Sequence, residues 1–246
     1  MAAGMMAVSM LAACGSTGTT RDVTDMPVVQ EMEDTMDTPV VRESGADMAE
    51  EADSAADSKV LILYYDYSEN MGDISGMDFD AITSASLAGE SPKGVDKNNL
   101  LVIVEEVQKA TGADVFSVRQ NETHDPDYDK MVMPAQDDIN ENRQFTFVED
   151  IDDLEQYDTV YIGMPVWWSK LPQPMKQFVE NHDLAGKTII PFGIHRGSRF
   201  GQMIDQLKEL AVGAEVSDDG YTVSATTAND EVRAAVADWL AEMQKQ

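Results

Sequence analysis

The chain has 246 residues, of which 46 are Asp or Glu against 17 Lys or Arg, for a formal net charge of −29. So acidic a chain argues against a nucleic-acid partner, because phosphate backbones need a basic surface. One Cys excludes intramolecular disulfides and Cys-rich zinc sites, and three His, at 124, 182 and 195, leave little for a His-built metal centre.

Residues 5–13 form a short apolar run that closes on Leu11-Ala12-Ala13-Cys14-Gly15. As a helix the run would span about 14 Å, against the roughly 30 Å hydrocarbon core of a bilayer, so it reads as the apolar region of a signal peptide. Leu-Ala-Ala-Cys resembles the lipobox of bacterial lipoproteins, and the resemblance implies lipid attachment at Cys14. No Lys or Arg precedes the run; a start assigned at an internal Met would explain that. Residues 15–58 hold 12 acidic side chains and two basic ones, Arg21 and Arg42, with no sustained apolar period. Such a segment buries too little to offset its ordering entropy and reads as an acidic, disordered tether. A signal peptide over 1–14 and a tether over 15–58 would hold a domain spanning 59–246 on the extracytoplasmic face of a cell membrane. The absence of Cys after residue 14 fits an oxidising location.

Residues 59–65, apolar without a break after Lys59, show the pattern of a strand buried on both faces of a parallel sheet. Residues 100–111 are helical in period, with Asn98 or Asn99 as N-cap and Gly112 as C-cap. A second strand follows at 113–118, then a polar, helical excursion at 127–142. Strands at 158–163 and 187–192 alternate with helices at 173–181 and 200–210. A fifth strand at 220–224 precedes a closing helix over 229–244, with Asn229 as its cap. This alternation predicts a three-layer, doubly wound α/β domain with a five-stranded parallel sheet. Ligands of such sheets bind beyond the carboxyl ends of the strands, so the loops after strands one, three and four are the ones to search.

After strand three comes Gly163-Met164-Pro165-Val166-Trp167-Trp168-Ser169-Lys170-Leu171-Pro172-Gln173-Pro174, which continues neither period. The adjacent indoles read either as a plug at the sheet edge or as an aromatic wall for a flat ligand. After strand four, the glycines at 193, 197 and 201 allow close backbone approach, and Arg196 and Arg199 stand out in so acidic a chain. His195, taken alone, reads as a hydrogen-bonded loop histidine. After strand one, Tyr67-Ser68-Glu69-Asn70-Met71-Gly72-Asp73 opens a loop of about 30 residues, far above the usual length of this connection. A phosphate would suit the N-terminus of the first helix, at Asn98 and Asn99 beside Lys97, whereas Glu69 and Asp73 would repel it.

These segments resemble the flavodoxin-like proteins. Gly163 to Trp168 and Leu171 to Pro174 are similar to their Gly-Tyr-Pro-Ile-Trp-Trp region. Gly186-Lys187-Thr188-Ile189-Ile190-Pro191-Phe192 is similar to Gly-Lys-Thr-Ile-x-Pro-Phe. Ile194 to Gly201 is similar to Thr-His-Gly-Gly-Ser-Gly-x-Gly, with Arg in place of Gly at 196 and 199. The resemblance implies strand order 2-1-3-4-5 with FMN at the switch point. Pro165, Val166, Trp167 and Trp168 would line one wall of the isoalloxazine ring, and His195, Arg196, Gly197 and Ser198 the other. The family's Ser-x-Thr-Gly-Asn-Thr loop falls on Asp66 to Met71, where only Ser68 and Asn70 keep its chemistry. A subgroup with a long first loop resembles the chain more closely, with Asp80 to Ser86 inside the insertion and Gly-Asn-Thr falling on Lys97-Asn98-Asn99. Ser68, Asn98 and Asn99, with Asn70 beside them, would then hold the phosphate.

What the resemblance implies is an FMN-binding redox protein, either an electron carrier or an NAD(P)H-, quinone- or small-electrophile-directed reductase. Its partner would be a basic redox protein, attracted by the acidic surface, or a small-molecule electron donor or acceptor. Arg196 and Arg199 would favour the anionic, fully reduced flavin. The alternative is a flavodoxin-fold surface binding module that has lost FMN. Hydrolysis through His195 and Ser198 is disfavoured, because the two lie three apart with no nucleophile elbow.

Overall fold

The computed structural model describes residues 59–73 and 93–245. The lipobox at Cys14, the tether over 15–58 and the 80–86 stretch lie outside the described residues.

Six strands form one parallel sheet: β1 (Val60–Tyr64), β2 (Asp114–Ser117), β3 (Thr159–Pro165), β4 (Thr188–His195), β5 (Glu215–Val216) and β6 (Tyr221–Ser224). The order is β2-β1-β3-β4-β5, with β6 also on β4, which is the expected 2-1-3-4-5 arrangement. Among the described residues four α-helices connect the strands, α1 (Asn99–Thr111), α2 (Tyr128–Glu141), α3 (Gln173–Asn181) and α4 (Met203–Leu210), and α5 (Asn229–Met243) follows the last strand.

The alternation of side chains along each strand sorts the apolar residues into two layers. Leu61 and Leu63 of β1 join Val160, Ile162 and Met164 of β3 in one core, closed by Met175 and Phe178 of α3 and Met203 and Leu207 of α4. Ile62 and Tyr64 face the other way, into a core completed by Leu100, Ile103 and Val107 of α1 and Val232, Val236 and Leu240 of α5. A side chain of this kind, fully buried, stabilises by about 1.5–3 kcal/mol. A strand with apolar residues on both faces is therefore held between two helical layers.

The caps of α1 are those the sequence predicts. Asn98 accepts from Leu100 N at 2.9 Å, and Gly112, at φ 69°, ends the helix in the left-handed conformation. The closing helix differs: Ala228 is its N-cap, and Asn229 is the first helical residue, buried at 4% exposure. The Asn229 carboxamide is committed elsewhere. Its oxygen accepts from the N–H groups of Asp96 and Lys97 at 2.9 and 3.0 Å, while its amide donates to Lys97 O and Asn99 Oδ1 at 2.9 and 2.6 Å. That clamp fixes the approach to α1 against the start of α5.

The fifth strand, expected as one piece, is in two. β5 lies beside Thr188 and Ile189, β6 beside Phe192 to His195, and residues 217–220 bulge between them. Ile189 O accepts from Ser217 N at 2.8 Å, so residue 191, two positions on, faces the same edge. That residue is Pro191, which has no N–H to offer, and the ladder is interrupted where the donor is missing.

Candidate functional site

The Trp-Trp segment leaves β3 as a tight turn. Trp167 and Lys170 exchange backbone hydrogen bonds at 3.0 and 2.8 Å, and the two residues between them, Trp168 and Ser169, have φ of 50° and 62°. Two consecutive positive φ values are what a two-residue turn of this hand requires, and Gly or Asn normally supplies them. Here a Trp and a Ser hold that conformation, a strain of the kind that clusters at ligand clamps. The Trp168 indole is 46% exposed, with its Nε1 donating to Val132 O at 3.3 Å.

Trp167 is fixed from behind. Tyr65, Tyr67 and His124 meet it edge to face, with ring centroids at 5.8, 5.9 and 5.4 Å. Each such pair contributes about 0.5–1.5 kcal/mol beyond its burial. His124 is itself buried and pairs its Nε2 with Tyr65 OH at 3.1 Å. Burial pushes its imidazole down to about 4, outweighing the attraction of Asp138, so it is neutral at physiological pH.

The loop after β4 packs against this turn. Val166 N donates to Ile194 O at 2.9 Å, joining the two loops at their roots. Gly197 N donates to His195 Nδ1 at 2.8 Å. That bond makes Nδ1 the acceptor and places the proton of the neutral ring on Nε2. Burial, helped by the charge of Arg199, lowers the pKa of His195 and favours the neutral form. Arg199 holds φ 51°, in the left-handed region that favours glycine.

Between the two loops lies a cavity of about 390 Å³. Pro165, Val166, Trp167 and Trp168 line it from the loop after β3, and His195, Arg196 and Ser198 from the loop after β4, with Ile194 and Ala225 also in the lining. Gly197 stands in the same loop at φ 115° and is not among the lining residues. A third wall was not expected. Tyr128, Met131, Val132 and Ala135 of α2 also line the cavity. Their spacing of three, four and seven residues puts them on one helix face, and that spacing in the polar excursion is the signal that would have found them.

The phosphate set is arranged differently from expectation. Asn70 and Asn99 have their carboxamides committed to the fold. Asn70 Nδ2 donates to Asp66 O and Val118 O at 2.7 and 3.1 Å, and its Oδ1 accepts from Gln120 N at 2.8 Å. Asn99 Nδ2 reaches Ser224 O, Ala225 O and Thr227 O at 3.3, 3.3 and 2.8 Å, and its Oδ1 accepts from Asn229. Ser68 and Asn98 do converge, on the carboxylate of Asp66.

The geometry defines a doubly wound α/β protein with an aromatic-walled ligand cavity beyond the carboxyl ends of β3 and β4. The family model described as flavodoxin matches residues 91–243, and the chain belongs to that family. No curated protein matches the chain. Among solved structures, a candidate flavoprotein from Bacteroides uniformis shares the fold at 18% identity, with a TM-score of 0.51 over 74% of this chain and 97% of that one. The chain is also similar to a candidate flavoprotein from Bacteroides eggerthii, at 20% identity over 74% and 98% of the two chains and a TM-score of 0.49. A flavoprotein in complex with FMN from Lactobacillus acidophilus follows at 21% identity, 71% and 97% coverage and a TM-score of 0.46.

Proposed function

We propose that the domain is an FMN-binding redox protein, an electron carrier or a reductase toward NAD(P)H, quinones or small electrophiles. The observation that carries this reading is the cavity between the Trp167–Trp168 turn and the His195–Ser198 loop. Its volume of about 390 Å³ suits a flat aromatic ligand, and its walls are rings and apolar side chains with a few polar groups among them. The flavin, when bound, supplies the redox chemistry. The protein's part is to exclude water with Trp167, Trp168 and α2 and to hold a neutral His195 with its proton on Nε2. Arg196 adds positive charge at the cavity wall.

The acidic surface favours a basic redox protein as partner, by electrostatic steering. Lys170, Arg196 and Arg199, close in sequence to the two site loops, offer the local positive charge a pyridine nucleotide would need. Lipidation of Cys14 and the acidic tether would place the domain on the extracytoplasmic face of a membrane, held by the anchor alone. Among the described residues no helix is long and apolar enough to cross a membrane.

The test is the visible absorption spectrum of the purified protein with and without added FMN. Flavin bands, with flavin fluorescence quenched by the neighbouring indoles, support the reading. A colourless protein that fails to take up FMN at micromolar concentration overturns it in favour of a binding module on the same fold.

A further inference from the structure

Asp66 follows β1 directly and is fully buried, at 0% exposure. Its Oδ1 accepts from the backbone N–H of Ser68 at 2.6 Å and from the Ser68 hydroxyl, and its Oδ2 accepts from Asn98 Nδ2 at 2.7 Å. Those donors belong to the first loop and to the N-cap of α1. A phosphate would need the same groups, because a carboxylate and a phosphate both seek N–H and O–H donors at the positive end of a helix. The chain thus carries its own anion on Ser68 and Asn98, the donors to which the flavodoxin resemblance assigns the FMN phosphate. Among the described residues the other two carboxamides expected at the phosphate are committed elsewhere: those of Asn70 and Asn99 are bonded to main chain and to Asn229. Lys97, next to Asn98, is ion-paired with Glu105.

We propose that Asp66 determines which flavin the site takes: the FMN phosphate competes with its carboxylate for Ser68 and Asn98, so FMN enters with uptake of one proton from water at Asp66. A flavin without the phosphate, riboflavin, enters without that proton. The proposal rests on the flavin reading of the cavity.

A phosphate monoester carries a charge of about −1.5 to −2 at neutral pH. Two anions sharing one set of donors do not both stay ionised, and the group that is more easily protonated takes the proton. Asp66 is prepared for this. Burial pushes its carboxyl up to about 6, against the lowering effect of the Ser68 hydrogen bonds, and Glu69 in the same loop pushes it further in the same direction. The other titratable groups around it are the phenols of Tyr64 and Tyr65, both raised by burial and neutral throughout the relevant range. From α1 the group in contact is Asn98, which is uncharged.

The test is a fluorescence titration of the full-length protein, as wild type, Asp66→Asn and Asp66→Ser, with FMN and with riboflavin between about pH 5.5 and 8.5. The wild-type dissociation constant for FMN should rise above pH 6 toward a limit of about tenfold per pH unit, while that for riboflavin stays level. In Asp66→Asn the FMN slope should fall to whatever the second ionisation of the phosphate itself contributes, and FMN should bind about a hundredfold tighter than to wild type at pH 8. Asp66→Ser should behave as Asp66→Asn, which keeps the outcome readable if the Asn variant misfolds. Equal pH profiles for FMN in wild type and both variants, or equal profiles for FMN and riboflavin in wild type, overturn the proposal. Failure of both flavins to bind any of the three proteins overturns the flavin reading itself, and the proposal with it.

Discussion

Gln202 N donates to Ser169 O at 2.7 Å, and that bond joins the two loops that wall the cavity. Gly201 makes it possible. A Cβ at Gly201 would stand 2.6 Å from Ser169 O and 2.7 Å from its Cα, both backbone atoms that cannot step aside. Its φ of 54° adds a second reason for glycine. Gly201→Ala should therefore cost about 2–3 kcal/mol of stability and separate the walls. Urea denaturation and flavin titration on the same sample check this; an unchanged midpoint together with unchanged affinity would refute the role.

Arg199 is exposed and holds φ 51°, a conformation that favours glycine. Arg199→Gly should stabilise the fold by about 1 kcal/mol, since the strain goes and little packing is lost. It should also raise the pKa of His195, because Arg199 is one of the two influences lowering it. NMR titration of the His195 ring against pH separates this electrostatic effect from the change in stability.

Arg196 lines the cavity beside His195. If its charge favours the anionic reduced flavin, Arg196→Ala should lower the two-electron potential by about 30 mV, the equivalent of roughly 1.4 kcal/mol. Spectroelectrochemistry of the flavin-loaded protein reads this directly. An unchanged potential would remove Arg196 from any tuning role.

Asp66 and His124 should pull stability in opposite directions as pH falls. The Asp66 carboxyl is raised from its ordinary 3.8 to about 6, so its contribution is fully present below the unfolded value and lost as pH rises through the folded one. The His124 imidazole is lowered from 6.5 to about 4, so its contribution is present above the unfolded value and lost as pH falls through the folded one. Each is on the order of 3 kcal/mol, and between about pH 4 and 6 they largely cancel. The wild-type profile should therefore be nearly flat there. Asp66→Asn should lose stability on acidification across that window, and His124→Gln should gain it. Denaturation midpoints near the two ends of the window decide the matter, and slopes of the same sign in both variants would contradict the assignment.

The strands and helices that frame the site were legible because their burial is periodic. β1 and β4 are continuous apolar runs, and the site loops follow their strands where a doubly wound sheet puts ligands. β5 was not legible, since Glu215–Val216 is too short to show any period. The part α2 plays was obscured by its acidic residues, although Tyr128, Met131, Val132 and Ala135 already carried the helical spacing. Asn99 could not be read from sequence at all: its partners Ser224, Ala225 and Thr227 are 125 to 128 residues away. The support behind Trp167 is of the same kind, because Tyr65, Tyr67 and His124 meet it only through the fold.

The interrupted fifth strand has a consequence for how copies of the protein coexist. β5 and β6 form one outer margin of the sheet, and such a margin invites the backbone of another molecule to add itself as a further strand. Here the margin is two short pieces, with Ser217-Asp218-Asp219-Gly220 bulging between them opposite Pro191. A second copy would find too few consecutive donors and acceptors in register to propagate, and two aspartates in its path. The domain can be crowded together and still decline to polymerise along that side.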